Sequence, residues 1–164
     1  MDALIILGSE SDMDAGGEAV KIFAGFGIKH ELHIASAHRS PAKVKRLVKK
    51  AESSGAKVII AGAGMSAHLA GVVASETLLP VIGIPMAGGG LNGVDALLST
   101  VNMPGGVPVA TVSIGKAGGK NAALLAARIM ALTDKGIARK LAEYRDKMAA
   151  DVEDADRRIQ QRGI

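Results

Sequence analysis

Short strand-like segments, most of them apolar without interruption, recur at regular intervals between helical patterns, and this alternation constrains the fold more than any other feature. The segments are Leu4 to Gly8, Ile28 to Ile34, Lys57 to Ala61, Val81 to Ile84 and Val107 to Ile114. A strand with one wet face alternates apolar and polar side chains, whereas one covered on both faces does not. Helical periodicity fills the gaps: Asp12 to Phe26, closed by Gly27; Pro41 to Ser54, closed by Gly55; Ala67 to Thr77; Val94 to Val101; and Lys120 to Leu132. The alternation predicts an α/β protein with a five-stranded parallel sheet and helices on both faces. No tandem repeat of solenoid type is present.

A length of 164 residues suits one core. The expected organisation is a catalytic α/β domain over 1–133 and a helical extension over 134–164. In the extension Ile137, Leu141, Tyr144, Met148 and Val152 recur every three or four residues among dense charges, a narrow apolar stripe on a helix of roughly 40 Å. Such a helix packs either on a neighbouring subunit or back on its own domain.

Composition removes several classes of chemistry. With no cysteine, the chain has no disulfide scaffold, thiolate nucleophile, cysteine zinc site or iron-sulfur cluster. The net charge of +4 raises nucleic-acid binding, but one Tyr and two Phe leave little to stack on bases. The basic run Lys43 to Lys50 carries Val44, Leu47 and Val48 at helical spacing and reads as a solvated helix face. No apolar run approaches a membrane span, and Met1 to Gly8 does not read as a signal peptide. The expectation is a soluble, cytoplasmic protein with a small anionic ligand, and with neither a nucleic-acid nor a membrane partner.

Ligands of doubly wound sheets bind beyond the carboxyl ends of the strands, where the strand order reverses. Three such ends are rich in chemistry here. Strand one is followed by Gly8-Ser-Glu-Ser-Asp12, strand two by Ser36-Ala-His-Arg-Ser40, and strand three by Gly62-Ala-Gly-Met-Ser-Ala-His68. His38 supplies an imidazole, the side-chain type whose unperturbed pKa lies nearest neutrality, and Arg39 a planar fork for carboxylate or phosphate. Ser40 is expected to cap the next helix, with Pro41 in its first position. Ser11 or Asp12 is expected either to cap the first helix or to serve the site, with Ser9 less needed as a cap. His68, at the first turn of a helix beside glycine-rich backbone, is either a ligand contact or a structural residue.

Other motifs lack their context. Gly62-Ala-Gly-Met-Ser-Ala67 matches a loosened dinucleotide pattern but follows the third strand, and the next strand ends in Pro85 with no acid for a ribose. Gly115-Lys116 lacks the hydroxyl residue of a phosphate loop. His30 and His33 lie three apart on a strand and face opposite sides, so no shared metal is expected.

Gly8-Ser-x-Ser-Asp12, Ser36-Ala-His-Arg39 with Pro41, Ala61-Gly-Ala-Gly64 with Ala67-His-Leu69, Leu91-Asn-Gly-x-Asp95, Met103-Pro with Gly106-Val-Pro-Val109, and Asn121 to Ala127 occur in this order. From strand one to the last core helix the chain resembles the N5-carboxyaminoimidazole ribonucleotide mutases of de novo purine synthesis. That resemblance implies a flavodoxin-like three-layer αβα sandwich, a homo-octamer with sites between subunits, and no metal or organic cofactor. It implies that Ser9, Asp12 and Arg39 bind the ribonucleotide, with Ser11, Ser36, Gly64 and Leu69 completing the binding set. His38 would be the general acid/base, with His68 beside it in the catalytic set.

The implied reaction moves a carboxyl group from an exocyclic nitrogen to carbon 4 of the ring, through release and recapture of carbon dioxide. The alternatives are direct carboxylation of aminoimidazole ribonucleotide and a non-catalytic nucleotide-binding domain. The direct carboxylases resemble Ser-Ala-His-Lys in the second loop and lack the histidine of the third, so Arg39 and His68 favour the mutase. A phosphoacceptor domain would want an aspartate where this chain has Ala61-Gly62. Met13, Ala70, Asn102 and Gly88-Gly89-Gly90 depart from the mutase pattern.

Overall fold

Every residue of β1 (Ala3–Leu7) is buried, so this strand needs cover on both faces. It has a parallel neighbour on each side as well. β1 pairs with β2 (His30–Ile34) in the register Ile5↔Leu32, and with β3 (Val58–Gly64) in the register Ile5↔Ile60. β3 pairs in turn with β4 (Val81–Met86), and β4 with β5 (Ala110–Thr111). The resulting order, β2-β1-β3-β4-β5, is entirely parallel and flavodoxin-like. Its order reverses between β1 and β3, which opens a crevice at their carboxyl ends.

The structure, a computed structural model, describes residues 1–163; Ile164, the last residue of the expected extension, lies outside them. The chain divides into two compact units, Met1–Ala126 and Ala127–Ile164. In the first, side chains alternate between two helical layers. Leu4, Ile6, Ile59 and Ala61 share a core with Val44, Leu47 and Val48 of α2 (Pro41–Ser53) and with Leu69 and Val73 of α3 (Leu69–Ser75). α4 (Val94–Val101) covers β4 on the same face, with the Thr100 methyl lying over Gly83. The opposite face carries α1 (Met13–Phe26), where Leu7 packs over Gly16, and the first turns of α5 (Gly115–Ala131).

β2 is shorter than expected (His30–Ile34), β4 longer (Val81–Met86) and α3 shorter (Leu69–Ser75), and three further boundaries moved for reasons the packing shows. β3 continues through Gly64, past the expected end at Ala61, so Gly62 and Gly64 are strand residues rather than loop residues. A Cβ on Gly62 would collide with Met86 Cε and lie 3.0 Å from Leu7 Cδ2, which is why the strand runs on without a side chain there. β5 shrinks from the expected Val107 to Ile114 to Ala110–Thr111, and Pro108, with no N–H for the ladder, accounts for the shortening at its amino end. α5 starts at Gly115 rather than Lys120: Gly118 and Gly119 serve close packing, with the Ala15 carbonyl where a Cβ of Gly119 would be.

In the second unit, α6 (Lys135–Gln160) is a helix of roughly 39 Å at about 1.5 Å per residue. Asp134 caps it, its Oδ1 accepting the amides of Gly136 at 2.8 Å and Ile137 at 3.0 Å. Among the described residues no helix is long and apolar enough to cross a membrane.

Candidate active site

At the crevice between β1 and β3 the chain turns sharply after Leu7. A single 3-10 turn, Glu10–Asp12, carries it into α1, and Ser9 is the N-cap of that turn. The Ser9 hydroxyl accepts the Ser11 amide at 3.4 Å, and Asp12 Oδ2 accepts the Ser9 amide at 3.0 Å. Ser9 thus caps the turn, with Asp12 returning the bond, while Asp12 holds the N-cap position of α1 without a side-chain cap bond to that helix. Asp12 is half-buried beneath these groups. Burial raises its carboxyl above the ordinary value of 3.8, and the bonds from Ser9 and Ser11 oppose the rise only in part.

The loop after β2 brings His38 and Arg39 to the same place. The Arg39 amide donates to Ser36 Oγ at 3.2 Å, and its guanidinium Nη2 donates to the Gly8 carbonyl at 3.2 Å. This tie to the end of β1 holds the fork at the crevice with other donors to spare. Ser40 occupies the N-cap position of α2 and Pro41 the first helical position, but the Ser40 hydroxyl makes no cap bond. It bonds to Ser36 instead.

His68 precedes α3 as its N-cap residue, and its amide donates to the Ser66 carbonyl at 2.7 Å. His38 Nε2 and His68 Nδ1 are 2.7 Å apart, with the rings edge-on at 84° and centroids 4.9 Å apart. A contact this short has room for one proton between the nitrogens, so one imidazole donates and the other accepts.

These groups line a cleft of about 620 Å³, within the range for a small-molecule ligand. Ser9, Ser11, Asp12, Ser36, His38, Arg39, Gly64, His68 and Leu69 all border it. Leu69 does so while buried in the core, at 1% exposure. The sequence did not single out a fourth wall, Met86 at the end of β4 with Ala87 to Gly89 beyond it, nor Met65 within the loop after β3. The fourth wall carries no titratable side chain; its only signal was the run Gly88-Gly89-Gly90. Met65 adopts a left-handed φ of 55° and is 63% exposed, at a cost of about 1 kcal/mol for a residue with a Cβ.

His30 and His33 do not share a site. The His30 ring packs on Phe23, whereas His33 Nε2 meets Glu31 Oε2 at 2.8 Å. Lys50 and then His33 hold the Glu31 carboxyl below its ordinary value. Among the described residues no three His, Cys, Asp or Glu side chains converge as a metal-ligand set.

A family model described as AIR carboxylase matches residues 2–151. The chain belongs to the AIR carboxylase family. Within it, the chain is 50% identical over 159 residues to N5-carboxyaminoimidazole ribonucleotide mutase of Pyrococcus horikoshii, covering 97% of this chain and 89% of that one. The mutase of Escherichia coli K12 is 46% identical over 148 residues, covering 90% and 88% of the two chains. The crystal structure of Treponema denticola PurE superposes with a TM-score of 0.85 at 33% identity, covering 95% of this chain and 96% of that one. The family match spans the whole cleft, from the Ser9 turn to the loop after β4.

Proposed function

We infer that this protein is an N5-carboxyaminoimidazole ribonucleotide mutase of de novo purine synthesis. It converts N5-carboxyaminoimidazole ribonucleotide into 4-carboxy-5-aminoimidazole ribonucleotide, using no cofactor. One observation carries the assignment. In a chain half identical to named mutases, His38 meets His68 at 2.7 Å in a cleft that also holds Arg39 and Asp12.

The chemistry follows from these groups. Arg39 takes the phosphate of the nucleotide, and Asp12 accepts bonds from ribose hydroxyls, with Ser9, Ser11 and Ser36 around them. When the N–carboxyl bond breaks, its electron pair returns to nitrogen and carbon dioxide is released. His38, as imidazolium, protonates that nitrogen. Carbon 4 then attacks the retained carbon dioxide, and the imidazole formed in the first step removes the carbon 4 proton. His38 ends as it began, and atoms and charge balance. Positioned proton transfer of this kind contributes roughly 100- to 10,000-fold in rate.

His68 orients the His38 ring and fixes which nitrogen carries its proton. Gly64, Leu69 and the glycine-rich fourth wall let backbone approach the substrate and exclude the water that would hydrate carbon dioxide. Direct carboxylation and simple nucleotide binding are less well supported, since the named relatives are mutases and a binding protein has no need of paired imidazoles.

Assembly is part of the same proposal. Val94, Leu98 and Val101 recur on one face of α4 and are each about half exposed, an apolar stripe suited to burial between subunits of a homo-octamer. Sedimentation would report an octamer; a monomer at assay concentration would contradict it. A phosphorylated nucleotide does not cross a bilayer unaided, which supports a cytoplasmic location. The activity is tested by supplying the carbamate nucleotide without bicarbonate and following the carbon 4 carboxylate. Product formed only from aminoimidazole ribonucleotide and bicarbonate would show a direct carboxylase instead.

A further inference from the structure

Ser40 stands where a serine ordinarily caps a helix, a contribution of about 1 kcal/mol, yet its hydroxyl caps nothing. The helix has less need of it: Pro41 brings no amide to satisfy, and the Ser40 carbonyl accepts from Lys43 at 3.0 Å and Val44 at 3.2 Å. The hydroxyl turns back on the preceding loop. It accepts the Ser36 amide at 2.9 Å and donates to the Ser36 carbonyl at 3.2 Å. The Ser40 amide reaches the same carbonyl at 2.9 Å, and the Arg39 amide reaches Ser36 Oγ at 3.2 Å. Both ends of Ala37-His38-Arg39 are thereby tied, with the imidazole and guanidinium taking no part.

We propose that Ser40 is a positioning residue, whose hydroxyl clamps the loop from Ser36 so that His38 meets His68 and Arg39 meets the Gly8 carbonyl. The geometric claim stands by itself; its catalytic consequence rests on the mutase assignment. Without the clamp, the half-buried Ser36 amide and carbonyl lose their side-chain partner and the loop gains alternative conformations. His38 then spends less time at the angle needed for proton transfer, and this lowers kcat more than KM. Threonine keeps an oxygen at the same position and serves equally well.

The test compares wild type with Ser40→Ala and Ser40→Thr in the intact protein, by histidine nitrogen NMR and by steady-state kinetics with the carbamate nucleotide. Ser40→Ala is expected to lose the His38–His68 hydrogen-bond signature and roughly tenfold in kcat, about 1.4 kcal/mol of barrier, with little change in KM. Ser40→Thr restores both. Ser54→Ala, at the far end of α2, changes neither and controls for general loss of helix stability.

If Ser40→Ala does not fold, Ser40→Cys keeps the shape with a weaker donor and acceptor, and the same losses are expected in smaller degree. Retention of the signature and of kcat in the clamp-deficient variant would overturn the proposal, as would failure of threonine to rescue. Loss and rescue of the NMR signature in a protein that turns over no carbamate would support the clamp and overturn the mutase assignment.

Discussion

His38 Nε2 lies 2.7 Å from His68 Nδ1 across 30 residues of sequence, the first on the loop after β2 and the second at the start of α3. Because β1 separates β2 from β3 in the sheet, these loops meet only by arching over the end of β1. The reversal of strand order thus brings two imidazoles together above Gly8.

His38→Asn removes the proposed acid/base while keeping a polar side chain of similar reach. Turnover is expected to fall by roughly 100- to 10,000-fold. Nucleotide affinity, measured calorimetrically, is expected to stay within a few-fold of wild type, since Arg39 and Asp12 are untouched. Near-normal turnover would rule out the acid/base role.

His68→Ala deletes the partner and leaves His38 in place. A lost hydrogen bond of roughly 1 kcal/mol corresponds to about a fivefold to tenfold fall in kcat, with KM moving less. An unchanged kcat would mean that the contact does not orient His38 during turnover.

Asp12 gives a pH dependence with a defined sign. Burial raises its carboxyl above 3.8, so the folded state holds the proton more tightly than the unfolded chain. The associated stability is complete below the unfolded value and is lost as pH rises through the higher folded one. In urea titrations Asp12→Asn should match wild type at the lowest pH and gain on it as pH rises past about 3.8, while its nucleotide affinity falls. A variant destabilised equally at every pH would show that burial of this charge does not govern the site.

Much of this arrangement was legible in the sequence. α4 occupies the expected Val94–Val101, and the loops after strands one to three do border one cleft. What misled was the ambiguity of glycine and of cap residues. Gly62 is expected in a loop and Gly118 falls outside the expected helix, but one gives room to Met86 and the other lies against the Ser113 carbonyl. Ser40 makes no cap bond where one was expected, and Ser9 makes one where it was least expected, because hydrogen-bond partners depend on loop closure, to which spacing along the chain is blind. The His38–His68 contact was invisible for a related reason: sequence placed both residues at strand ends but fixed neither ring's direction.

Gly62→Ala follows from the crowding at β3. The added methyl must displace Met86 or Leu7, between sheet and helix, and overpacking of this kind costs about 1 to 3 kcal/mol. Denaturant titration should show a lower midpoint with an unchanged slope. A midpoint equal to wild type would mean that the Met86 side chain moves aside freely.

The central claim is that the carboxyl group of the product comes from the substrate's own carbamate, kept in the cleft between two proton transfers by His38. The direct measurement supplies the carbamate nucleotide with carbon-13 in its carboxyl group, in the presence of excess unlabelled bicarbonate, and reads the product by mass spectrometry during the first turnovers. Product that retains the label is the predicted result. Product carrying the unlabelled carboxyl of bulk bicarbonate would contradict the account.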